Sequence, residues 1–535
     1  MKPRAPIPII DLFAGPGGLG EGFSSATFAS GGKAFEIRLS IECDFFAHRT
    51  LELRSFFRKF GCRRVPEAYY DYLRHAGESE EARRRGLYAK FPDEAKRASE
   101  EAWLAVLGKE DPSRVHARIV QALGNTADWV LIGGPPCQAY SLVGRARNRG
   151  NPKYIAAKDP RQTLYLEYIQ VLADHLPSVF VMENVKGLLS ATLDDQLIFE
   201  KIVEDLQSPC TALARAGRRV LSRTRGREVP RRYHVVSLVD RTLSDDQDLR
   251  RFVVRMENHG IPQTRHRVIL LGVREDLYPL RIGVLPNHTR VASADVIDGL
   301  PRLRSGLSRQ DDNFDAWLEV LLKLFERAWY AKLASADGNL HAEFIRTRTR
   351  LRQPRSDRGA EFIHCEPACD YEPTWFLDKR MGGICNHSAR AHIAEDLGRY
   401  LYASCFAKAF GHSPTLREFP HELLPRHQNA RYALEGNLFA DRFRVQMRDR
   451  PATTITSHIA KDGHYYIHYD PAQCRSLTVR EAARIQTFPD NYFFCGPRTS
   501  QYVQVGNAVP PLLAAQIAEI VKAIFVGAGL ASRHG

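Results

Sequence analysis

Short apolar runs bounded by glycine, proline and charged residues recur over the first half of the chain. Residues 7–13, 35–41, 130–132 and 178–182 are too short and too continuously apolar for helices and read as buried strands. Pro8 falls near the start of the first, where a missing N–H is tolerated. Between these runs the period lengthens to that of a helix, at about 19–28, 162–175 and 245–258. Two more strands are predicted at 233–239 and 267–273. Strand and helix therefore alternate to about residue 273, which predicts an α/β fold with a doubly wound parallel sheet. Residues 45–121 interrupt it with Arg, Glu, Ala and Leu at helical spacing, and 77–85 is almost wholly charged or small. That stretch reads as an added helical segment with a solvated face.

Beyond about residue 276 clean periodicity is lost until about 451, in a stretch rich in Arg, His and Pro. It reads as a separate, smaller and irregular lobe. A β-rich patch near 453, a helix at 478–488 and a terminal helix at 512–525 follow. The expected division is an α/β lobe over 1–280, completed by 497–535, with a second lobe over 281–496.

Of 535 residues, 44% are hydrophobic and 26% charged, ample for a large core. The net charge of +14 favours a polyanionic partner, nucleic acid before an anionic membrane. No apolar run approaches the ~20 residues that cross a bilayer, and the N-terminus lacks the apolar core of a signal peptide. Ten scattered cysteines fit a reduced compartment better than a disulfide scaffold. A cytoplasmic protein is the expectation.

Two loops carry the candidate chemistry. Gly15, Gly17 and Gly20 form a G-x-G-x-x-G that follows a strand and opens a helix, and Glu42 ends the next strand. Such glycines let backbone approach a ligand, and such a carboxylate accepts ribose hydroxyls. This fits any adenosine-containing cofactor, a dinucleotide included. The second loop, Gly133-Gly134-Pro135-Pro136-Cys137-Gln138, holds a cysteine rigidly at a strand end, where α/β sheets bind ligands.

The order of segments resembles the DNA cytosine-5 methyltransferase family of bacterial modification methylases. The matching segments are Asp11-Leu12-Phe13-Ala14-Gly15-x-Gly17-Gly18, Pro135-Pro136-Cys137-Gln138, Glu183-Asn184-Val185 and Gln263-x-Arg265-x-Arg267. They continue with Arg450-Pro451-x-Thr453-Thr454-Ile455 and Gly506-Asn507-Ala508-Val509-Pro510, and lesser matches lie at Arg161-x-x-Leu164 and along 477–489. The resemblance covers both ends of the chain, but neither the helical insert nor most of 276–450. It implies a Rossmann-like lobe that uses S-adenosyl-L-methionine and a second lobe that recognises the target. The implied reaction is methyl transfer to C5 of a cytosine flipped out of a specific duplex DNA sequence, through a covalent adduct of cysteine with C6.

The resemblance also implies roles. Cys137 is the nucleophile, which must act as a thiolate. Glu183 meets N3 and the exocyclic amine of the base. Arg265 reaches O2, and Arg267 braces the loop. Phe13 stacks on adenine, Gly15, Gly17 and Gly18 let backbone approach the cofactor, and Glu42 holds its ribose. Pro136, Leu164 and Asn507 complete the cofactor site, with Asp111 a candidate for the adenine amine. The basic stretch Arg145, Arg147, Asn148 and Arg149 could close over DNA.

The implied partner is double-stranded DNA, with no membrane, a monomeric enzyme and a separately encoded restriction endonuclease as a possible companion. Three rivals stand beside this reading: a tRNA cytosine-5 methyltransferase, a non-catalytic DNA-binding relative and an NAD oxidoreductase. His364, Cys365, Cys369, Cys385, His387 and His392 fall close together, but they depart from the usual Cys-x2-Cys zinc spacing, and no metal is assigned.

Overall fold

The computed structural model describes residues 4–61, 64–75, 77–136, 164–190, 192–193, 196–221, 230–240, 249–278, 282–425 and 441–530. Its central sheet has eight strands: β1 (Ile7–Leu12), β2 (Phe35–Glu42), β3 (Ala102–Leu104), β4 (Val130–Gly133), β5 (Val179–Val185), β6 (Tyr233–Val236), β7 (Val253–Arg255) and β8 (His266–Arg274). The order is β3-β2-β1-β4-β5-β8-β6, with β7 also paired to β8. The first five strands pair parallel, and β8 runs antiparallel to β5, β6 and β7. Order reverses between β1 and β4, so the crevice at their carboxyl ends is the place where such sheets take ligands.

Alternation of side chains builds the two faces. Ile7, Ile9, Val130, Ile132, Val179, Val181, Ile269 and Leu271 point to one side, under α1 (Gly18–Ser25) and the terminal helix Pro511–Gly527. Ile10, Leu12, Leu131, Phe180, Met182, Val268 and Leu270 point to the other, under α6 (Pro112–Leu123) and α7 (Leu164–His175). Each fully buried aliphatic side chain of this kind stabilises the fold by about 1.5–3 kcal/mol. Arg498–Gly527 is long and apolar enough to cross a membrane by composition, but Leu513, Ile517 and Val521 lie in the core, which explains the apolarity.

Between β2 and β3 run α2 (Phe45–Lys59), α3 (Glu67–Arg74), α4 (Glu80–Lys90) and α5 (Pro92–Glu101). The region read as purely helical thus also contains β3, an edge strand of the main sheet. Three residues are too few to show a period. The four helices bridge the lobes. Phe56, Phe57, Tyr69 and Leu73 share a core with Phe362, Met381 and Phe493. Arg54 pairs with Glu21 of α1 at 2.5 Å and donates to Asn491 Oδ1 at 3.0 Å.

The helix expected at 245–258 is replaced, within the described residues, by β7 flanked by the short 3-10 turns Leu249–Phe252 and Met256–His259. Val253 and Val254 satisfy their backbone by pairing with β8 instead. The second lobe also has more helix than its sequence suggests. Its longest, α8 (Ala394–Phe410), buries Leu397, Tyr400, Leu401, Ser404 and Cys405. A helix buried on most sides shows no clean amphipathic stripe. Its core runs from Val291 to Ala508 and includes α9 (Val479–Ile485) together with Tyr502 and Val505 of α10 (Arg498–Asn507).

Candidate active site

The carboxyl ends of β1, β2, β4 and β5 lie on one edge, which carries Phe13, the glycine loop, Glu42 and Glu183. β1 ends at Leu12, and Phe13 follows with φ 56°, its half-buried ring packed against the α6/α7 face. Gly15 also has a positive φ, 58°, and a side chain there would meet open space. Its N–H donates to Glu42 Oε2 at 2.7 Å, while Glu42 Oε1 accepts from Asp44 N at 2.7 Å. The carboxylate at the end of β2 therefore holds the turn from both sides. Gly18 also serves packing. A Cβ there would overlap the Val509 carbonyl, so this glycine admits the C-terminal segment against the loop. Gly17, with φ 96°, lies under Tyr492, whose hydroxyl donates to the Pro16 carbonyl.

Beneath the loop Asp11 is fully buried, and neither carboxylate oxygen has a hydrogen-bond partner. Burial raises its pKa well above the usual range; Arg58 opposes the shift, and Glu42 and Glu101 add to it.

β4 ends at Gly133 and leads into Gly134-Pro135-Pro136; Cys137, Arg145, Arg147, Asn148, Arg149 and Arg161 lie outside the described residues. β5 is longer than predicted, so Glu183 sits within it rather than past its end. A Cβ on Gly134 would stand 3.1 Å from Glu183 Oε2, and Asn184 Nδ2 donates to the Pro135 carbonyl at 3.3 Å. Glu183 and Asn184 thus flank the loop that carries Cys137. Asn184 was legible as part of Glu-Asn-Val, but its tether to Pro135 was not.

The antiparallel register of β8 on β5 sets Arg267 opposite Val185, so its side chain lies diagonally across from Glu183 on the same face. Arg267 Nε meets Glu183 Oε1 at 3.0 Å. Arg265, just before β8, is 1% exposed. Its Nη1 donates to the Ile455 carbonyl at 2.7 Å, and both Nη atoms reach the Gly506 carbonyl at 3.3 Å. Burial and then Arg267 hold its pKa down to about 9. The bracing expected of Arg267 is thus done by Arg265, because Arg265 points under the segment that joins the lobes. Gln263 completes this joint. It accepts from Ile455 N at 3.1 Å and donates to Gln486, which in turn donates to the Val505 and Ala508 carbonyls.

Asn507 ends α10 and is exposed. Leu164 is half-buried at the start of α7, with Cδ2 3.2 Å from where a Gly108 side chain would begin. Asp111 is the exposed N-cap of α6 and accepts from Ser113 N at 2.8 Å. The Cys/His set is not gathered. Cys385 lies against Arg480 and the Asp490 carbonyl, His387 between Thr478 and the Pro301 carbonyl, and His392 beside Ser476. Burial pushes the thiols of Cys369, Cys385, Cys405, Cys474 and Cys495 upward, and burial with Glu42 takes Cys43 to about 11. None of these six is poised as a thiolate.

A doubly wound sheet with an antiparallel strand beside β5, and with a glycine loop, an acid and an arginine on one edge, defines a Rossmann-like methyltransferase fold. The family model described as C-5 cytosine-specific DNA methylase matches residues 116–209 and 250–523, and the chain belongs to that family. It is 31% identical to the type II methyltransferase M.Bpa9945I of Bacillus paralicheniformis, over 97% of this chain and 99% of the relative. It is 27% identical to the type II methyltransferase M.AgeI of Thalassovita gelatinovora, over 77% and 86% of the two chains. It is also 27% identical to the DNA (cytosine-5-)-methyltransferase M.ApeKI of Aeropyrum pernix, over 74% and 81%. The protein is a DNA cytosine-5 methyltransferase.

Proposed function

We propose that the chain transfers a methyl group from S-adenosyl-L-methionine to C5 of a cytosine flipped out of duplex DNA, with Cys137 adding to C6. The observation that carries this reading is the Glu183–Arg267 pair standing against the Gly134-Pro135 loop that leads into Cys137. Addition of a thiolate to C6 places negative charge toward N3 and O2 and makes C5 enamine-like. Glu183 is the group to hydrogen-bond N3 and the exocyclic amine. Arg267 is the one to meet O2, since Arg265 is buried among backbone carbonyls. A cation already paired with Glu183 can shift toward the charge that develops on the ring without a new desolvation cost.

The residues present suit the cofactor. Gly15 leaves room above its backbone, and Glu42 ends β2 at the same edge. Phe13, Gly15, Gly17, Gly18, Glu42, Pro136, Leu164 and Asn507 would hold it. When bound it supplies an electrophilic methyl group. The chain's own work is to orient the base, hold its N3 and O2, and exclude water.

A flipped base costs a few kcal/mol, which contacts to phosphates by arginines of the second lobe would offset. Relatives named as type II methyltransferases support the reading that this chain serves a modification system, where a partner endonuclease would cut unmethylated sites. The family model and these relatives favour DNA over tRNA as substrate. Incubation of the purified enzyme with methyl-labelled S-adenosylmethionine and either duplex DNA or tRNA tests this. Label in DNA, mapped by bisulfite sequencing to one short motif, is the expected result; label confined to tRNA overturns it.

A further inference from the structure

At the opposite end of α7 from Leu164, α6 and α7 bring three ligand-type side chains together. His116 lies on α6, and Asp174 and His175 form the last two positions of α7. One ligand atom from each lies within 4.8 Å of the others. The place is just ahead of β4 and β5: Trp129, which precedes β4, donates to the His175 carbonyl at 3.2 Å. The methylation reaction gives this cluster no task.

Each member is prepared in a way that packing alone does not require. Nδ1 of His116 is buried with no hydrogen-bond partner. A buried polar atom in that state is costly, and an ion is one of the few things that would relieve it. The two imidazoles stack, centroids 4.6 Å apart at 28°. His175, in the last turn of α7, is half-buried against His116, and imidazole is the commonest protein ligand of such ions. Asp174 is buried and its carboxylate is fixed, with Leu221 N donating to Oδ1 at 2.7 Å and Gln170 Nε2 to Oδ2 at 3.0 Å. Such outer hydrogen bonds orient ligating carboxylates in metal sites, and each oxygen keeps a free lone pair.

We propose that His116, Asp174 and His175 bind one divalent transition-metal ion, zinc foremost, which pins α6 to α7 beneath β4 and β5. Two imidazole nitrogens and one carboxylate oxygen suit zinc or cobalt, with water in the fourth position. Hard ions such as magnesium prefer all-oxygen sets. The ion would tighten the scaffold and take no part in methyl transfer.

Cobalt(II) titrated into the metal-free full-length protein tests the site. The expected result is a visible d–d band saturating at one equivalent, without the sulfur charge-transfer band of thiolate ligation, and displaced by zinc. It should vanish in His116→Ala and in His175→Ala. Zinc should raise the melting temperature of the wild type and leave that of His116→Ala unmoved, while methyl transfer by the variant stays at the wild-type level. His116→Gln serves as the second variant should His116→Ala fail to fold. No band in the wild type, a band that survives both substitutions, or an equal zinc-induced shift in the variants would overturn the proposal.

Discussion

Two groups of arginines, in or beside segments that mark the family, are used in opposite ways. In and beside α9 the guanidinium groups of Arg475, Arg480 and Arg484 are buried, and each makes at least four hydrogen bonds. Arg475 makes two bonds to the Glu481 carboxylate at 2.6 and 2.7 Å. Arg484 makes two to Asp490 at 2.7 and 2.9 Å, and Arg480 donates to the Cys385, Pro489 and Tyr492 carbonyls. At the sheet edge Arg267 keeps a single carboxylate partner, Glu183, and retains some exposure. Arg265, two residues away, sides with the first group. A family motif therefore marks a position without telling whether it serves chemistry or packing. Partners and burial make that distinction.

That contrast can be broken by substitution. Glu183→Gln should lower the methyl-transfer rate by about 10²- to 10⁴-fold, as for other acid–base groups, with DNA binding and melting temperature nearly unchanged. Single-turnover kinetics beside a binding assay reads this. Arg484→Met should act on the fold alone. It strands the Asp490 carboxylate in the core, and losing one partner of a buried pair costs about 3–5 kcal/mol, read by denaturant unfolding. If Glu183→Gln instead unfolds the protein, or Arg484→Met folds normally and loses activity, the division between the two groups is wrong.

Acid should sharpen the contrast next. Burial holds His387 and His468 down to about 4 and His175 to about 3. Each stays neutral in the folded state, while in the unfolded chain it titrates near 6.5. The unfolded state binds more protons between these values, so stability is full above about pH 6.5 and falls as pH drops toward 4. Each fully buried histidine contributes up to about 3 kcal/mol to that slope. Melting temperature followed from pH 7 to pH 4 should fall steeply; a flat profile contradicts the burial of these rings. The smallest effect is expected at Gly15. Alanine there meets no atom, but the left-handed backbone costs about 1 kcal/mol, seen as a slightly lower melting temperature and a raised KM for S-adenosylmethionine.

Much of the sheet was legible because its strands are bounded by unmistakable breakers: Gly15 to Gly18 after β1, and Gly133 to Pro136 after β4. β3 was hidden by its length. α8 was hidden because burial on most sides erases the polar face that a helix usually shows. The meeting of Glu183 with Arg267 is in keeping with their motifs, but the division between Arg265 and Arg267 was not legible. Two arginines at i and i+2 look equivalent until the carbonyls of Ile455 and Gly506, about 190 and 240 residues later, come to lie over one of them. The bridge made by α2 to α5 was equally invisible, since its contacts to Phe362 and Phe493 span hundreds of residues.

The central claim is that Cys137 bonds to the target base beside Glu183 and Arg267. Duplex DNA carrying 5-fluorocytosine at the methylated position tests it most directly, because C5 then has no proton to release and the adduct cannot resolve. With S-adenosylmethionine present, a denaturing gel should show a stable enzyme–DNA complex for the wild type and none for Cys137→Ser. An active enzyme that forms no such complex, or a complex that persists without the Cys137 sulfur, would contradict the account.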